Sequence, residues 1–299
     1  MLRWRLLLGA TLIVVVAALA AWEHNRQPPG VWVTLPVLLV ITVLASQEFI
    51  SLARAAGHDL WDGVVYVGNV SIVLSVWCVP ALGFHHSLGA WGPPAIALCA
   101  AMLLAFATEM ARFRRPGESI GRLAATSLAL LYVGLLTSFL AQLRMQGGGA
   151  LGIPAIASLL IVVKLGDTGA YGLGRLLGGR VFRRKLAPTL SPGKSIEGAI
   201  GALLLACIGA GLAIEWLLPA MLPSPPRELA AWRWLAYGLM VGSAGIFGDL
   251  AESLLKRDAG RKDSSGWLPG FGGVLDLVDS ILMAAPVAYL CWAGGLIRP

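Results

Sequence analysis

The chain reads GDLAESLLKRD at residues 248–258, KDSS at 262–265 and LPGFGGVLDLVDS at 268–280. This charged stretch separates the last two apolar runs of a chain in which only 13% of residues are charged, roughly half the fraction of a soluble protein. Carboxylates at the edge of an apolar helix are expensive to bury and usually mark a functional site. Their combination with lysines, arginines and a Gly-Gly pair suits a phosphate held by magnesium.

The rest of the chain consists of apolar runs, each long enough to cross a bilayer as a helix. These runs lie at roughly residues 6–22, 31–50, 63–83, 92–111, 123–143, 150–165, 196–219, 231–254 and 274–297. We therefore predict an all-α polytopic membrane protein with about nine transmembrane helices. The four cysteines lie within apolar runs and form no CxxC pair, so neither a zinc site nor a disulfide framework is indicated.

The distribution of basic residues predicts the orientation of these helices. With a cytoplasmic N-terminus, eighteen of the 23 lysines and arginines fall on the inner side of nine spans, as the positive-inside rule requires. The polar site then lies at the cytoplasmic ends of the C-terminal helices, in an inner or plasma membrane. Ala18-Leu19-Ala20 resembles a signal-peptide cleavage site, but such a triplet is common in Ala-rich spans, and we expect an uncleaved first helix.

Polar residues are concentrated in the second half of the chain. We predict a scaffold of transmembrane helices over residues 1–150 and a catalytic transmembrane domain over 151–299. Within the scaffold, Glu48 lies near the inner end of the second run, and Arg54 follows about one and a half turns later. A juxtamembrane ion pair or snorkelling explains Glu48 most simply, and a contribution to a polar cavity is the alternative.

Carboxylates at two helix ends predict a metal site. Four side chains that share one helical face follow at i, i+3, i+4 and i+7: Asp249, Glu252, Ser253 and Lys256. Asp276 and Asp279 share a face at the start of the last run. Compensation of the helix dipole is an alternative to a metal site as the reason for carboxylates at this position. Asp249 lies at a helix C-terminus, where a carboxylate is unfavourable, so it needs a metal or a lysine. Carboxylates at two helix ends fit magnesium, which usually takes one or two protein carboxylates, and we expect a metal in preference to simple ion pairing.

A second polar segment precedes the seventh run. Gly193-Lys194-Ser195 is not a P-loop, because Pro188 stands where that motif needs glycine. A Pro-Gly turn would still place Lys194 at a helix N-terminus, which favours anions, and a cap with a snorkelling lysine is the alternative. Asp167 follows the sixth run, where it could hold a hydroxyl or metal or cap a short helix. Asp263 lies in the last charged loop, where a functional role and a solvated ion pair explain it equally well.

Three segments together resemble the signature of the phosphatidate cytidylyltransferases, also called CDP-diacylglycerol synthases. They read GDTGAY at 166–171, KLAPTLSPGKSIEG at 185–198 and SLLKRDAGRKDSSGWLPGFGGVLDLVD at 253–279. Phe271 stands where the family usually has histidine, and Leu277 where it usually has arginine. The loss of these basic side chains could change rate, nucleotide preference or activity. Because every carboxylate and lysine of the signature is kept, we expect a working variant.

The resemblance implies transfer of a cytidylyl group from CTP to phosphatidate, giving CDP-diacylglycerol and pyrophosphate, with Mg²⁺ as cofactor and Asp249 and Asp276 as its ligands. The implied catalytic residues are Lys256, Asp276, Asp279 and Asp249. The implied substrate-binding residues are Lys194, Ser191, Arg257, Lys262, Asp263, Asp167, Gly272 and Gly273. We expect contact with membrane lipid and no nucleic-acid partner, and a homodimer is an option. The alternatives are a related CTP-dependent enzyme acting on another lipid phosphate or lipid alcohol, an inactive paralogue, and a transporter.

Overall fold

The computed structural model describes residues 18, 22–23, 33–81, 89–182, 184–222, 229–266 and 272–297. In this part of the chain, seven helices are long and apolar enough to cross a membrane, and one further helix is apolar over the shorter stretch Asp62–Cys78. The helices are α1 (Thr34–Ala55), α2 (Asp62–Ala81), α3 (Gly92–Arg112), α4 (Ser119–Arg144), α5 (Gly152–Leu177), α6 (Ile196–Met221), α7 (Ala231–Asp258) and α8 (Val274–Ala293). The chain is an all-α multi-pass membrane protein.

Eight of the nine predicted apolar runs each overlap one of these helices. Most of the first run, residues 6–22, lies outside the described residues, so the predicted total of nine stays a prediction. The largest difference in bounds concerns α5, which continues to Leu177 instead of ending near residue 165. Asp167 therefore lies inside a helix, and the prediction that it follows the span or caps a short helix is wrong.

A small hairpin departs from the otherwise helical structure. Strand β1 (Lys185–Ala187) pairs antiparallel with β2 (Ser191–Ser195), and the turn lies at residues 188–190. The predicted Pro-Gly turn is therefore wrong, because Pro192 and Gly193 lie in β2. The prediction that Lys194 lies at a helix N-terminus is confirmed, since the next residue, Ser195, caps α6 by accepting a hydrogen bond from the Gly198 amide at 3.1 Å.

The chain forms two compact units. The first unit contains residues 1–142 and 255–277, and the second contains residues 143–254 and 278–299. Helices α7 and α8 each contribute residues to both units. The division at residue 150 into scaffold and catalytic parts is a functional one and stays a prediction.

Small residues let helices of the second unit approach each other closely. A Cβ atom on Gly201 of α6 would lie 2.5 Å from the carbonyl oxygen of Gly169 in α5. A Cβ atom on Gly238 of α7 would lie 2.6 Å from the Cα atom of Cys207 in α6. Helices in a bilayer associate through such close backbone packing, because lipid supplies no hydrophobic driving force between them.

We expect Gly201→Ala to destabilise the folded protein, because the new methyl group would collide with the backbone of α5. The expected loss is about 1–3 kcal/mol, the usual cost of overpacking. Gly172→Ala is the matched control, since Gly172 lies in α5 with open space at its Cβ position. It should gain up to about 1 kcal/mol from helix propensity. Thermal unfolding in detergent measures both variants, and equal melting temperatures would contradict the described packing.

Candidate active site

The second unit contains a cleft of about 210 Å³ between α5, the hairpin, α6 and α7. Glycines form much of its lining, and their missing side chains leave this space open: Gly166, Gly174, Gly193, Gly198, Gly242 and Gly245. Val163, Ala202 and Ile246 add apolar wall. The cleft is therefore mainly apolar in its lining, and its polar side chains come from few positions.

Charged side chains line one part of this cleft. Nζ of Lys194 lies 2.6 Å from a carboxylate oxygen of Asp249, and both side chains are partly exposed. Next to them on α5, Nζ of Lys164 lies 3.1 Å from the carboxylate of Asp167. Asp167 is within electrostatic range of both Lys194 and Asp249. The expectation that Asp249 needs a cation is met in this structure by a lysine.

Two buried carboxyl groups lie beside this charged pair. Asp279 is 5% exposed and Glu252 is 1% exposed. The two are in hydrogen-bond contact with each other, and Asp279 is also within electrostatic range of Asp249 and Lys164. Among the described residues of this cluster, four carboxyl groups thus accompany two lysines. This excess of acidic groups favours the binding of an additional cation.

In the first unit, Asp276 organises the start of α8. One of its carboxylate oxygens lies 2.5 Å from Nζ of Lys256. The other accepts hydrogen bonds from the Ser264 amide at 2.8 Å and the Gly273 amide at 2.8 Å, and it lies 2.7 Å from the Ser264 hydroxyl. Asp276 therefore connects the end of α7, the following loop and the first turn of α8.

The Gly-Gly pair allows two carboxylates to reach this loop. Gly272 has a φ of +88°, which disfavours residues with a side chain, and a Cβ atom there would collide with the Asp276 carboxylate. A Cβ atom on Gly273 would collide with the Ser264 hydroxyl and the Glu48 carboxylate. Both glycines are therefore required by close approach of polar side chains to the backbone.

The Glu48 carboxylate lies in this loop region, 6% exposed. It accepts hydrogen bonds from the Ser265 hydroxyl and from the first two amides of α8, those of Val274 and Leu275, and it shares the hydroxyl proton of Ser264 with Asp276. Arg54 pairs with Asp62 at 2.8 Å instead, so the interpretation of Glu48 as part of a juxtamembrane ion pair is wrong. Glu48 also lines a small cavity together with Ser51 and Ser265, and its contribution to a polar cavity of the site stays a prediction.

Glu197 is a second residue whose role the motif did not reveal. It is 3% exposed, and its Oε1 accepts hydrogen bonds from the amides of Gly179, Val181 and Phe182 at 3.0, 3.1 and 2.9 Å. Glu197 thereby fastens the segment that follows α5 to the first turn of α6. The sequence signal for this role is the position of Glu197 directly before Gly198 in the motif.

The remaining predicted residues lie closer to solvent. Arg257, Lys262 and Asp263 are exposed, and Ser191 is partly buried in β2. Leu277 is partly buried, and Phe271 lies outside the described residues. The structure thus brings together Asp167, Lys194, Asp249 and Asp279 in the second unit. It brings together Lys256, Gly272, Gly273 and Asp276 in the first.

The donor set of the second unit fits magnesium that binds together with a substrate. No three carboxylate, histidine or cysteine side chains among the described residues form a ready-made metal-binding group. Magnesium in phosphate-binding sites usually takes one or two protein carboxylates, and substrate phosphates and water complete its shell. Asp249 and Asp279 can supply such oxygens. A metal shared by Asp249 and Asp276 stays a prediction, since these residues belong to different units.

The sequence matches the profile of the cytidylyltransferase family over residues 3–293. The chain belongs to this family. It is 35% identical over 259 residues to a protein named phosphatidate cytidylyltransferase from Bacillus subtilis, covering 87% of this chain and 89% of that one. The protein of the same name from Mycobacterium tuberculosis H37Rv is 28% identical, covering 97% and 81% of the two chains.

A plant relative has a longer chain. The protein named phosphatidate cytidylyltransferase 5, chloroplastic, from Arabidopsis thaliana is 30% identical over 284 residues, which cover 87% of this chain and 66% of the plant protein. The cytidylyltransferase match includes α1, so Glu48 lies within it together with the C-terminal signature.

For this cytidylyltransferase, we expect Gly273→Ala to loosen the signature loop, because the added methyl group would displace Ser264 or Glu48. The segment of residues 272–277 should exchange with deuterium at least about tenfold faster, since the amides of Gly273, Val274 and Leu275 lose their carboxylate acceptors. Gly266→Ala is the control in the same loop, because the space at its Cβ position is open. Unchanged exchange in Gly273→Ala, measured by mass spectrometry, would contradict the described contacts.

Proposed function

We propose that this chain transfers a cytidylyl group from CTP to phosphatidate, giving CDP-diacylglycerol and pyrophosphate. The observation that carries the proposal is the Lys194–Asp249 pair in an apolar cleft of a multi-pass membrane protein. The pair lies within a chain of the cytidylyltransferase family, whose relatives bear the name of this activity. The chemistry of the cleft agrees with one lipid substrate and one anionic nucleotide.

The dimensions and lining of the cleft agree with a reacting head group. At about 210 Å³ the cleft is smaller than the roughly 300–1,000 Å³ of pockets that enclose a whole drug-sized ligand. It therefore suits the phosphate-bearing part of a substrate better than an entire nucleotide. Its apolar residues suit the glycerol and first methylene groups of a lipid, and its charged residues suit the phosphates.

The acidic excess in the second unit supports a role for magnesium. Four carboxyl groups beside two lysines would repel a triphosphate and a lipid phosphate. Asp249, with Asp279 beside it, would hold the ion, which would offset the charge of the phosphates during transfer. Asp276 as a further ligand stays a prediction, and Lys256 would then share its carboxylate with the ion.

The reaction needs no protein nucleophile. A phosphate oxygen of phosphatidate attacks the α-phosphorus of CTP, and the bond between that phosphorus and the oxygen bridging to the β-phosphate breaks in line. The new bond forms the diphosphate of CDP-diacylglycerol, and pyrophosphate leaves with the electron pair of the broken bond. Positioning and charge stabilisation are thus the main tasks of the side chains.

Individual residues take these tasks as follows. Lys194 binds a phosphate when substrate separates it from Asp249, and Asp167 with Ser191 shapes the polar part of the cleft. Asp276, held by Lys256, fixes the Gly272-Gly273 turn. The exposed residues Arg257, Lys262 and Asp263 contact the incoming nucleotide.

The membrane arrangement completes the proposal. We infer nine spans with a cytoplasmic N-terminus, because eighteen of the 23 basic residues then fall on the inner side. The charged ends of the C-terminal helices would face the cytoplasm, from which CTP arrives. The basic loops would raise the local concentration of this anion.

We expect Asp249→Asn to reduce formation of CDP-diacylglycerol about 100-fold or more, because an amide neither balances Lys194 nor binds magnesium as a carboxylate does. Turnover is measured with purified protein, CTP, phosphatidate and magnesium. Asp59→Asn serves as the control, since Asp59 is 72% exposed and lies 3.8 Å from Arg54 in a loop of the first unit.

Chelation of divalent ions should abolish wild-type turnover, and magnesium should restore it. Full turnover by folded Asp249→Asn would contradict the assigned site. Turnover with another lipid phosphate and none with phosphatidate would replace the proposed substrate by that lipid.

We expect Lys194→Met to raise the KM for CTP about 10- to 100-fold, the value of a lost charge-assisted hydrogen bond. Lys194→Arg should recover part of this loss, because it restores the charge with a different geometry. Lys185→Met is the control on the same hairpin, where Lys185 is exposed and donates to the carbonyl of Pro192. A KM that changes equally in Lys194→Met and Lys185→Met would show a general effect of basic charge.

A further inference from the structure

Glu48 is a buried carboxylate on α1 that contacts a loop 216 residues later in the chain. It contributes to neither the charged cleft nor the signature motif. We infer that Glu48 is a positioning residue of the active site, which fixes the signature loop and the first turn of α8 and so orients Asp276. The inference rests on the proposed function for its kinetic consequence, while its structural consequence can be measured separately.

Both oxygens of the Glu48 carboxylate are occupied by donors from this region. Oε1 accepts from the Ser265 hydroxyl at 2.7 Å and from the Val274 amide at 2.9 Å. Oε2 accepts from the Leu275 amide at 2.8 Å and lies 2.8 Å from the Ser264 hydroxyl, whose single proton it shares with Asp276. A carboxylate held by three donors and this shared hydroxyl has a fixed position, and it is poorly suited to exchange protons with a substrate.

Glu48 also completes the N-terminus of α8. The first amides of a helix have no acceptors within the helix, and a negative charge there is favoured by the helix dipole. The amides of Val274 and Leu275 are two of these groups. The two residues before α8, Gly272 and Gly273, have no side chain that could cap the helix. Glu48 supplies this cap from α1.

Ser264 links Glu48 to Asp276. Its hydroxyl lies 2.8 Å from the Glu48 carboxylate and 2.7 Å from the Asp276 carboxylate, and its amide donates to Asp276. Ser264 is fully buried. A displacement of Glu48 would therefore shift Ser264 and, with it, the carboxylate that Lys256 also holds. Errors of about 1 Å at a reacting site can cost about 100-fold in rate.

The test compares Glu48→Gln with Glu109→Gln. Both glutamates are buried in the first unit, 6% and 5% exposed. Glu109 instead accepts from the Trp61 indole at 2.8 Å and pairs with Arg122 at 3.1 Å. Glutamine keeps the size of glutamate, but its NH₂ group would face the amide of either Val274 or Leu275 and break at least that hydrogen bond, because the serine hydroxyls can turn to accept whereas an amide cannot. Glu109→Gln therefore controls for the loss of a buried carboxylate as such.

We expect Glu48→Gln to lower the kcat of folded protein at least about tenfold, with the KM for phosphatidate within about twofold of wild type. Amides of residues 272–277 should exchange at least about tenfold faster. Glu109→Gln should leave kcat and this exchange within about twofold of wild type. The folded fraction of each preparation is measured, because a purely structural role lowers that fraction and leaves the kcat of folded molecules unchanged.

Wild-type kcat and wild-type exchange in Glu48→Gln would overturn the inference. So would a kcat that falls only in proportion to the folded fraction. An inactive wild-type protein would instead count against the proposed function. The exchange of residues 272–277 would then still decide whether Glu48 fixes this segment.

Discussion

A carboxylate inside an apolar helical protein must be matched by a cation or by several hydrogen-bond donors. The two units satisfy this requirement in different ways. In the first unit, Glu48 is surrounded by hydroxyl and amide donors, and Asp276 combines amides with the ammonium group of Lys256. In the second unit, Asp249 has Lys194, while the neighbouring acidic groups outnumber the lysines. Carboxylates whose oxygens all have hydrogen-bond donors, as in the first unit, suit a structural anchor. A group of carboxylates that outnumbers its lysines, as in the second unit, suits a site that a bound cation completes.

Glycine is the second requirement, and it follows from the need to surround buried carboxylates with hydrogen-bond donors. Carboxylates can reach backbone amides at short range only where side chains are absent, as at Gly272 and Gly273. The same property serves the second unit, where glycines bring α5 and α6 together and line the cleft. A signature rich in glycine and charge is thus explained by packing around polar groups as much as by direct contact with substrate.

Periodicity and hydropathy were sufficient to predict the helices, because each run must satisfy its backbone within the bilayer. The charged pair Lys194–Asp249 could be predicted in part, since Asp249 at a helix C-terminus demands a cation. The extension of α5 past Asp167 was missed because its glycines suggest a loop, whereas they serve contacts with α6 that no local pattern reveals. The role of Glu48 was missed for a similar reason, because its partners lie more than 200 residues away, and Arg54 offered a nearer but incorrect partner.

The proposed reaction transfers the cytidylyl group of CTP to a lipid phosphate. The most direct measurement follows the radiolabel from CTP labelled at either the α- or the γ-phosphate, with purified protein, phosphatidate and magnesium. We expect the α-label to enter the lipid fraction and the γ-label to be released as pyrophosphate. Transfer of γ-label to lipid would reveal a kinase, and folded protein that transfers neither label would contradict the proposed activity.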